Sequence, residues 1–307
     1  MSQVGTSQQW RTLDLDEEEI EDNVHQRKKI YDVNNSNPNK KKSGKNLPSN
    51  SSGEITIKEL NPHQIRPFTS EDKTGGSKTI IIGKPRTGKS RLISSLLYYK
   101  KHIFPVGMIN SGTEDSTMFY SDIFPDLFVY PKLDTSAIEN FIKRQKLAKR
   151  HLENQWGVLV IDDCTDNPKT LKTPLFQGIF KNSRQWDMWT ILSLQYSMDI
   201  LPVIRTCVDN SFLLRESSRK NRMKLWENYA SIIPTFDDFN DVMDEMTNDF
   251  TSIYIDNSVQ SNSFDDCLFW YKARLEKLPE KWKFGCQAYH DFSKERYDKS
   301  YVNPLVV

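Results

Sequence analysis

Apolar residues along this chain fall into short strand-length runs and helically spaced sets, and the two alternate. Thr79-Ile80-Ile81-Ile82 and Val158-Leu159-Val160-Ile161 are unbroken β-branched or aliphatic runs, the pattern of strands buried on both faces. Val106 to Ile109, Leu127 to Tyr130, Trp189 to Leu194, Phe212 to Leu214, Ser252 to Ile255 and Cys267 to Tyr271 predict further strands. After Ser90, the residues Leu92, Ile93, Leu96 and Leu97 fall on one helical face. Ile138, Phe141, Ile142, Ala148 and Leu152 mark a second helix, which Gly157 is expected to end. Strands alternating with helices in this way predict an α/β fold on a parallel sheet. Near its start, Ile55 and Ile57 alternate with polar neighbours as in a half-buried edge strand. A loop with Pro62 and Pro67 and a polar break from Ser70 to Ser77 separate it from the next run.

The segment 1–53 breaks the pattern. An acidic run from Asp14 to Asp22 gives way to Arg27-Lys28-Lys29, an Asn/Ser/Pro stretch, and a basic knot at Lys40, Lys41, Lys42 and Lys45. So few apolar groups cannot offset the entropy of ordering, so a disordered tail is expected: a solvated segment, a tether to DNA or protein, or a basic import signal. The expected organisation is thus tail 1–53, globular domain 54–292 and C-terminal tail 293–307.

Composition narrows this further. The 307 residues are 37% hydrophobic and 27% charged, yet the net charge is only +1, so any nucleic-acid contact must come from local patches. Cys164, Cys207, Cys267 and Cys286 form no CxxC pair, and the histidines have no ligand spacing, which argues against a disulfide framework or a zinc site. No apolar run approaches the roughly 20 residues of a membrane span. The polar N-terminus lacks the apolar core of a signal peptide, so a soluble intracellular protein without a membrane span is expected.

The candidate chemistry begins after the first buried strand. Gly83-Lys84-Pro85-Arg86-Thr87-Gly88-Lys89-Ser90 satisfies GxxxxGK[ST], with a strand before it and an amphipathic helix behind it. Gly83 and Gly88 let the backbone turn its N–H groups around an anion. The helix start adds its positive dipole end. Lys89 is then expected to reach the β- and γ-phosphates and the Ser90 hydroxyl to ligate Mg²⁺; Arg86 either touches phosphate or faces solvent.

The strand Val158 to Ile161 ends in Asp162-Asp163, 72 residues after Ser90. Carboxylates at such a strand tip sit where the metal of a nucleotide complex lies. Asp162 is expected to hold Mg²⁺ directly or through water, and Asp163 to polarise the attacking water, although either acid could instead cap the next helix. The spacing leaves room for a further strand and helix between the two motifs. That favours the additional-strand class of P-loop ATPases over small GTPases and kinases. No NKxD guanine-reading motif is present, so ATP is preferred. Gln195 ends the strand Trp189 to Leu194, where it can bond the γ-phosphate or the attacking water.

Several further segments carry a resemblance: Asn110-Ser111-Gly112-Thr113-Glu114, Lys143-Arg144-Gln145-Lys146, Asn182-Ser183-Arg184-Gln185-Trp186, Leu194-Gln195-Tyr196, Leu201 to Asp209, and Cys267 to Ala273. In this order, from about Ile55 to about His290, the chain resembles the poxvirus-type genome-packaging ATPases of large DNA viruses, within the FtsK/HerA superfamily. Ser183 stands where that family usually has Gly, and Cys207 where it usually has Asn. The resemblance implies a RecA-like additional-strand P-loop fold, with a central mostly parallel sheet flanked by helices. It implies ATP and Mg²⁺ as cofactors, and a ring oligomer, a hexamer by family precedent, that drives double-stranded DNA into a capsid. Capsid or portal-vertex proteins are then partners. The place of action is the host cell at the site of virus assembly, in a cytoplasmic factory or the nucleus, with retention in the virion as a further option. Lys89, Ser90, Asp162 and Asp163 match the family's Walker motifs and Gln195 its sensor. An arginine finger acting on a neighbour's ATP is implied downstream, with Arg205 first and Arg184 and Arg215 behind it.

Two basic sets could meet DNA phosphates: Lys143, Lys146 and Arg150 on one helical face, and Arg219, Lys220, Arg222 and Lys224. Both could equally be solvated or salt-bridged. Two other readings stay open: a DNA translocase or helicase of a cell or mobile element from the same superfamily, and a nucleotide-binding switch without motor activity.

Overall fold

The computed structural model describes residues 27–32, 54–65, 76–164, 167, 169–298 and 300. Most of the expected N-terminal tail and residues 301–307 of the expected C-terminal one lie outside the described residues.

The chain opens with β1 (Arg27–Asp32), which falls within the expected tail, and β2 (Glu54–Glu59). Next come β3 (Lys78–Ile82), α1 (Lys89–Lys100), β4 (Val106–Ser111), the short α2 (Glu114–Thr117) and β5 (Val129–Tyr130). The central stretch holds α3 (Thr135–His151), β6 (Gly157–Asp162), α4 (Pro174–Asn182), β7 (Met188–Leu194), α5 (Pro202–Arg205) and β8 (Asn210–Leu213). It closes with α6 (Arg219–Tyr229), α7 (Phe236–Met246), β9 (Thr251–Asp256), α8 (Phe264–Cys267), β10 (Leu268–Lys272) and α9 (Gln287–Arg296).

The strands form one ten-stranded sheet in the order β1-β2-β10-β9-β8-β3-β7-β6-β4-β5. Every pairing from β8 through β5 is parallel, while β9 runs antiparallel to both β8 and β10. β7 lies between the loop-bearing β3 and the acid-bearing β6. This interposed strand defines the RecA-like additional-strand P-loop fold.

The aliphatic runs form central strands because both faces are covered. Period-two alternation sends Ile80, Ile82, Leu159, Ile161, Leu192 and Leu194 to one face, where they pack with Phe141, Phe176 and Phe239 of α3, α4 and α7. Ile81, Val158, Val160, Trp189 and Ile191 face the other side, against Leu92 and Leu96 of α1 and the C-terminal Trp282, Phe284 and Tyr289.

Several sequence expectations shift. β2 lies inside the sheet, between β1 and β10, rather than at its edge. Leu127 to Tyr130 splits into a 3-10 turn, Asp126–Phe128, and the two-residue β5. Gly157 does not end α3, which closes at His151; it opens β6. A Cβ there would lie 2.8 Å from Gln145 Oε1. The space instead admits the buried Gln145 amide, which donates to the carbonyls of Gln155, Trp186 and Asp187 and ties α3 to the start of β7. Past residue 292, α9 continues to Arg296, with Ser293 buried and accepting from the Leu127 N–H. Packed structure therefore extends beyond the expected domain end.

Candidate nucleotide site at the carboxyl edge of the sheet

The parallel strands β3, β7, β6 and β4 end along one edge, and the sequence-predicted residues gather there. Gly83 is clamped as the chain leaves β3: its N–H donates to Leu194 O at 3.0 Å, while the Leu214 N–H donates to Ile82 O at 2.9 Å. A Cβ on Gly83 would stand 2.5 Å from Thr87 Oγ1 and 2.8 Å from Leu214 Cβ, so the close turn requires glycine. Gly88 caps α1 with φ +95°, a left-handed conformation that glycine adopts without penalty. Thr87 Oγ1 donates back to Lys84 O at 2.8 Å, closing the loop on itself. Pro85 and Arg86 are exposed at its tip.

Lys89 points inward under this loop and is buried, its ammonium donating to the carbonyls of Gly83 (2.9 Å) and Lys84 (3.3 Å). Burial lowers its pKa from the ordinary lysine value, and the negative charges of Asp163 and Asp162 oppose that shift. Lys84 is held outside the loop by an ion pair to Glu216 Oε1 at 2.6 Å and a hydrogen bond to Ser217 Oγ at 3.2 Å.

Asp162 ends β6 with a fully buried side chain. Its Oδ2 accepts from Ser90 Oγ at 2.7 Å and from the Tyr120 hydroxyl at 2.8 Å, and its Oδ1 from Ser193 Oγ. Ser193 also accepts the Asp163 N–H at 3.0 Å, so one hydroxyl ties β7 to both acids. Asp163 adopts φ +52°, a conformation that aspartate tolerates better than most residues. Its Oδ1 accepts from Gln195 Nε2 at 2.5 Å. Ser90, Asp162, Asp163 and Gln195 therefore form one hydrogen-bonded array beside Lys89. The Ser90 hydroxyl and Asp162 carboxylate are hard oxygen donors on adjacent elements, a pair suited to Mg²⁺, which takes few protein ligands and fills its shell with phosphate and water.

Besides Ser193, sequence reasoning missed three supports. Tyr120 is buried, and its hydroxyl pKa is raised well above the usual tyrosine value by burial and then by Asp162, so it stays a donor to that carboxylate. Glu114 is buried and accepts the N–H groups of Tyr120 (3.0 Å) and Ser121 (2.8 Å), fixing the turn that aims Tyr120. Gly112 N–H donates to Asp162 O at 3.0 Å, and a Cβ there would fall 2.3 Å from Asp163 O. The Ser111-Gly112-Thr113-Glu114 segment is thus a buttress for the acids. Only its match to the resembled family hinted at a role.

The arginines are not part of this array. Arg205 Nη1 donates to Ile200 O at 2.9 Å within its own loop. Arg184 pairs with Asp209, which also accepts the Lys78 N–H. Arg215 is exposed just past β8. Ser183, where the resembled family usually has glycine, has φ −56° and needs no glycine. The basic set on α6 is largely paired: Arg219 with Asp237, Arg222 with Asp244 and Lys224 with Glu227. On α3, Lys146 lies over the Trp186 ring at 5.2 Å and Lys143 contacts Asn140; with Arg150 they make no ion pair among the described residues.

No family model matches the chain. It is 45% identical over 252 residues to uncharacterized protein 075L of Invertebrate iridescent virus 6, covering 81% of this chain and 97% of that protein. It is 36% identical over 244 residues to uncharacterized protein 015R of Frog virus 3, covering 76% of each chain. Among solved structures, the DNA-packaging ATPase B204 of Sulfolobus turreted icosahedral virus aligns with a TM-score of 0.49 at 17% identity, over 66% of this chain and 99% of that one. The pCW3 conjugation coupling protein TcpA aligns with a TM-score of 0.46 at 13% identity, over 73% of this chain and 64% of that one. No helix among the described residues is long and apolar enough to cross a membrane. By its sequence, the chain belongs to the family of large-DNA-virus proteins that includes protein 075L of Invertebrate iridescent virus 6.

Proposed function

We propose that this protein binds ATP with Mg²⁺ in the loop Gly83–Ser90 and hydrolyses it as a ring-forming motor that drives double-stranded DNA into a capsid during virion assembly. The observation that carries the proposal is the array at the sheet edge, where Ser90, Asp162, Asp163 and Gln195 are joined by hydrogen bonds beside the buried Lys89. The family resemblance of the sequence supports the viral setting and the DNA substrate.

In this reading the N–H groups of the loop and of the start of α1 cradle the phosphates. Lys89 exchanges its two carbonyl partners for β- and γ-phosphate oxygens. Ser90, with Asp162 directly or through water, would hold Mg²⁺, which would supply charge neutralisation at the phosphates. Asp163 accepts a proton from the attacking water, and the Gln195 amide orients that water and senses the γ-phosphate. Ser193 keeps the two carboxylates in register because it bonds to both residues. Arg205, supplied by the neighbouring subunit, neutralises charge growing on the γ-phosphate.

The test is steady-state ATP hydrolysis by the full chain with and without linear double-stranded DNA, using Lys89→Ala and Asp163→Asn as controls checked for folding. Stimulation by DNA, lost in both variants, is the expected result. Nucleotide binding with turnover indifferent to DNA in an assembled sample would favour a switch. Packaging is read separately, from the DNA content of particles formed when Lys89→Ala replaces the wild-type protein during infection; filled particles would overturn it.

A further inference from the structure

Phe250 is an aromatic side chain left 62% exposed beside the phosphate loop. It sits in the turn Asn248–Thr251 between α7 and β9, closed by the Thr251 N–H donating to Asn248 O at 3.0 Å. Asp249 and Phe250 have φ +50° and +60°, two successive left-handed residues at positions that normally select Asn and Gly. A β-carbon there is strained, and phenylalanine gains little from burial in return. Neighbouring bonds hold the turn: Asp249 pairs with Lys272 at 2.5 Å, and Asn248 Nδ2 donates to Asp244 O at 2.6 Å.

Register explains why the ring reaches the loop. Ile253 of β9 is level with Leu213 of β8, which is level with Ile82 of β3. Because β9 runs antiparallel, the residues before Ile253 project past the edge where β3 passes into the loop. A Cβ built on Gly88 would lie 3.3 Å from Phe250 Cδ1. The acids lie on the other side of β3: the sheet order β9-β8-β3-β7-β6 puts Phe250 on one flank of the loop and Asp162, Asp163 and Gln195 on the opposite one. A nucleotide with its γ-phosphate toward the acids and its phosphates along Gly88–Ser90 directs its base away from them, to the β9 side.

We propose that Phe250 is the platform on which the nucleobase of the bound nucleotide stacks, so that the strained turn builds a base subsite onto the phosphate loop. This inference rests on the nucleotide-binding reading above. An aromatic face stacks on any base, so the subsite adds affinity for nucleosides without selecting adenine over guanine. It adds nothing for a ligand that has phosphates and no base.

That contrast is the test. Calorimetric titration of the full chain would compare wild type, Phe250→Ala and Phe250→Trp, each with the Mg²⁺ complexes of a non-hydrolysable ATP analogue and of inorganic tripolyphosphate. Phe250→Ala is expected to weaken the ATP analogue about tenfold while leaving tripolyphosphate within about twofold, and Phe250→Trp to restore the analogue. Undiminished analogue binding by Phe250→Ala overturns the subsite, as does an equal loss of both ligands, which would mark a loop-shaping role. If wild type binds tripolyphosphate and the analogue equally well, the subsite fails while the phosphate site stands. If it binds neither, the nucleotide reading itself falls, and the subsite with it.

Discussion

A carboxylate at zero exposure must find its hydrogen bonds inside the protein, and Asp162 finds three, all from hydroxyls. Ser90 is the partner it would share with a metal; Tyr120 and Ser193 are those that aim it. Removing the Tyr120 hydroxyl leaves Oδ2 with one donor and frees the carboxylate to rotate. Groups that orient a metal ligand typically cost 10–100-fold in metal affinity when lost. Tyr120→Phe is therefore expected to raise the Mg²⁺ concentration for half-maximal hydrolysis by about tenfold, and to weaken Mg²⁺-dependent nucleotide binding in parallel. A fall in melting temperature with the Mg²⁺ dependence unchanged would reduce Tyr120 to a packing residue. The two kinds of partner also differ in how they could be read. Gly83 to Ser90 and the Asp162-Asp163 pair follow from chemistry that fixes residue types at short spacings. Tyr120 and Ser193 lie 42 and 31 residues from Asp162, and no local pattern distinguishes them from any buried tyrosine or serine.

Elements buried on both faces were legible for a related reason. β3, β6 and β7 are fully buried, so apolar residues dominate their sequences, with Ile80 to Ile82 and Val158 to Ile161 as unbroken runs. α6 escaped notice because only Leu225 and Tyr229 of its eleven residues are buried. Its dense charge invited a nucleic-acid reading. Packing of α6 beside α7 explains the charge otherwise, since Arg219 and Arg222 pair with Asp237 and Asp244 of that helix. On α3, by contrast, Lys143, Lys146 and Arg150 are exposed and make no ion pair among the described residues, Lys146 lying over the Trp186 ring. If DNA phosphates touch the domain, α3 is the better grip. Replacing Lys143, Lys146 and Arg150 together by Ala is expected to abolish most DNA stimulation while basal hydrolysis persists. The slope of log affinity against log salt should flatten by about 0.9 for each lost phosphate contact. Arg219→Ala with Lys224→Ala is the matched control, expected to change DNA binding little. Equal losses from the two helices would return α3 to an ordinary solvated face.

At the scale of the whole molecule, one edge of one sheet carries everything the proposed hydrolysis needs except an arginine at the γ-phosphate. Arg205 follows β7 by a short loop, yet its guanidinium donates to Ile200 O and joins none of the hydrogen bonds around Asp162 and Asp163. Tyr196 and Val203, in the same loop region, are 41% and 36% exposed. A ring in which each subunit lends Arg205 to its neighbour supplies the missing charge without rebuilding either site. The consequence is arithmetic. Arg205→Ala and Lys89→Ala should each lower turnover on the order of 10³-fold when alone, since every site lacks one group. In rings mixed at random from equal amounts of both, about a quarter of the interfaces pair an intact Lys89 with an intact neighbouring Arg205. Activity should therefore recover to about a quarter of the wild-type value, provided the sites fire independently. Mixed rings that form, as native mass spectrometry would report, and yet stay inactive would mean that Arg205 serves its own subunit's fold. The same mixing with Arg184→Ala or Arg215→Ala would then identify which arginine crosses the interface.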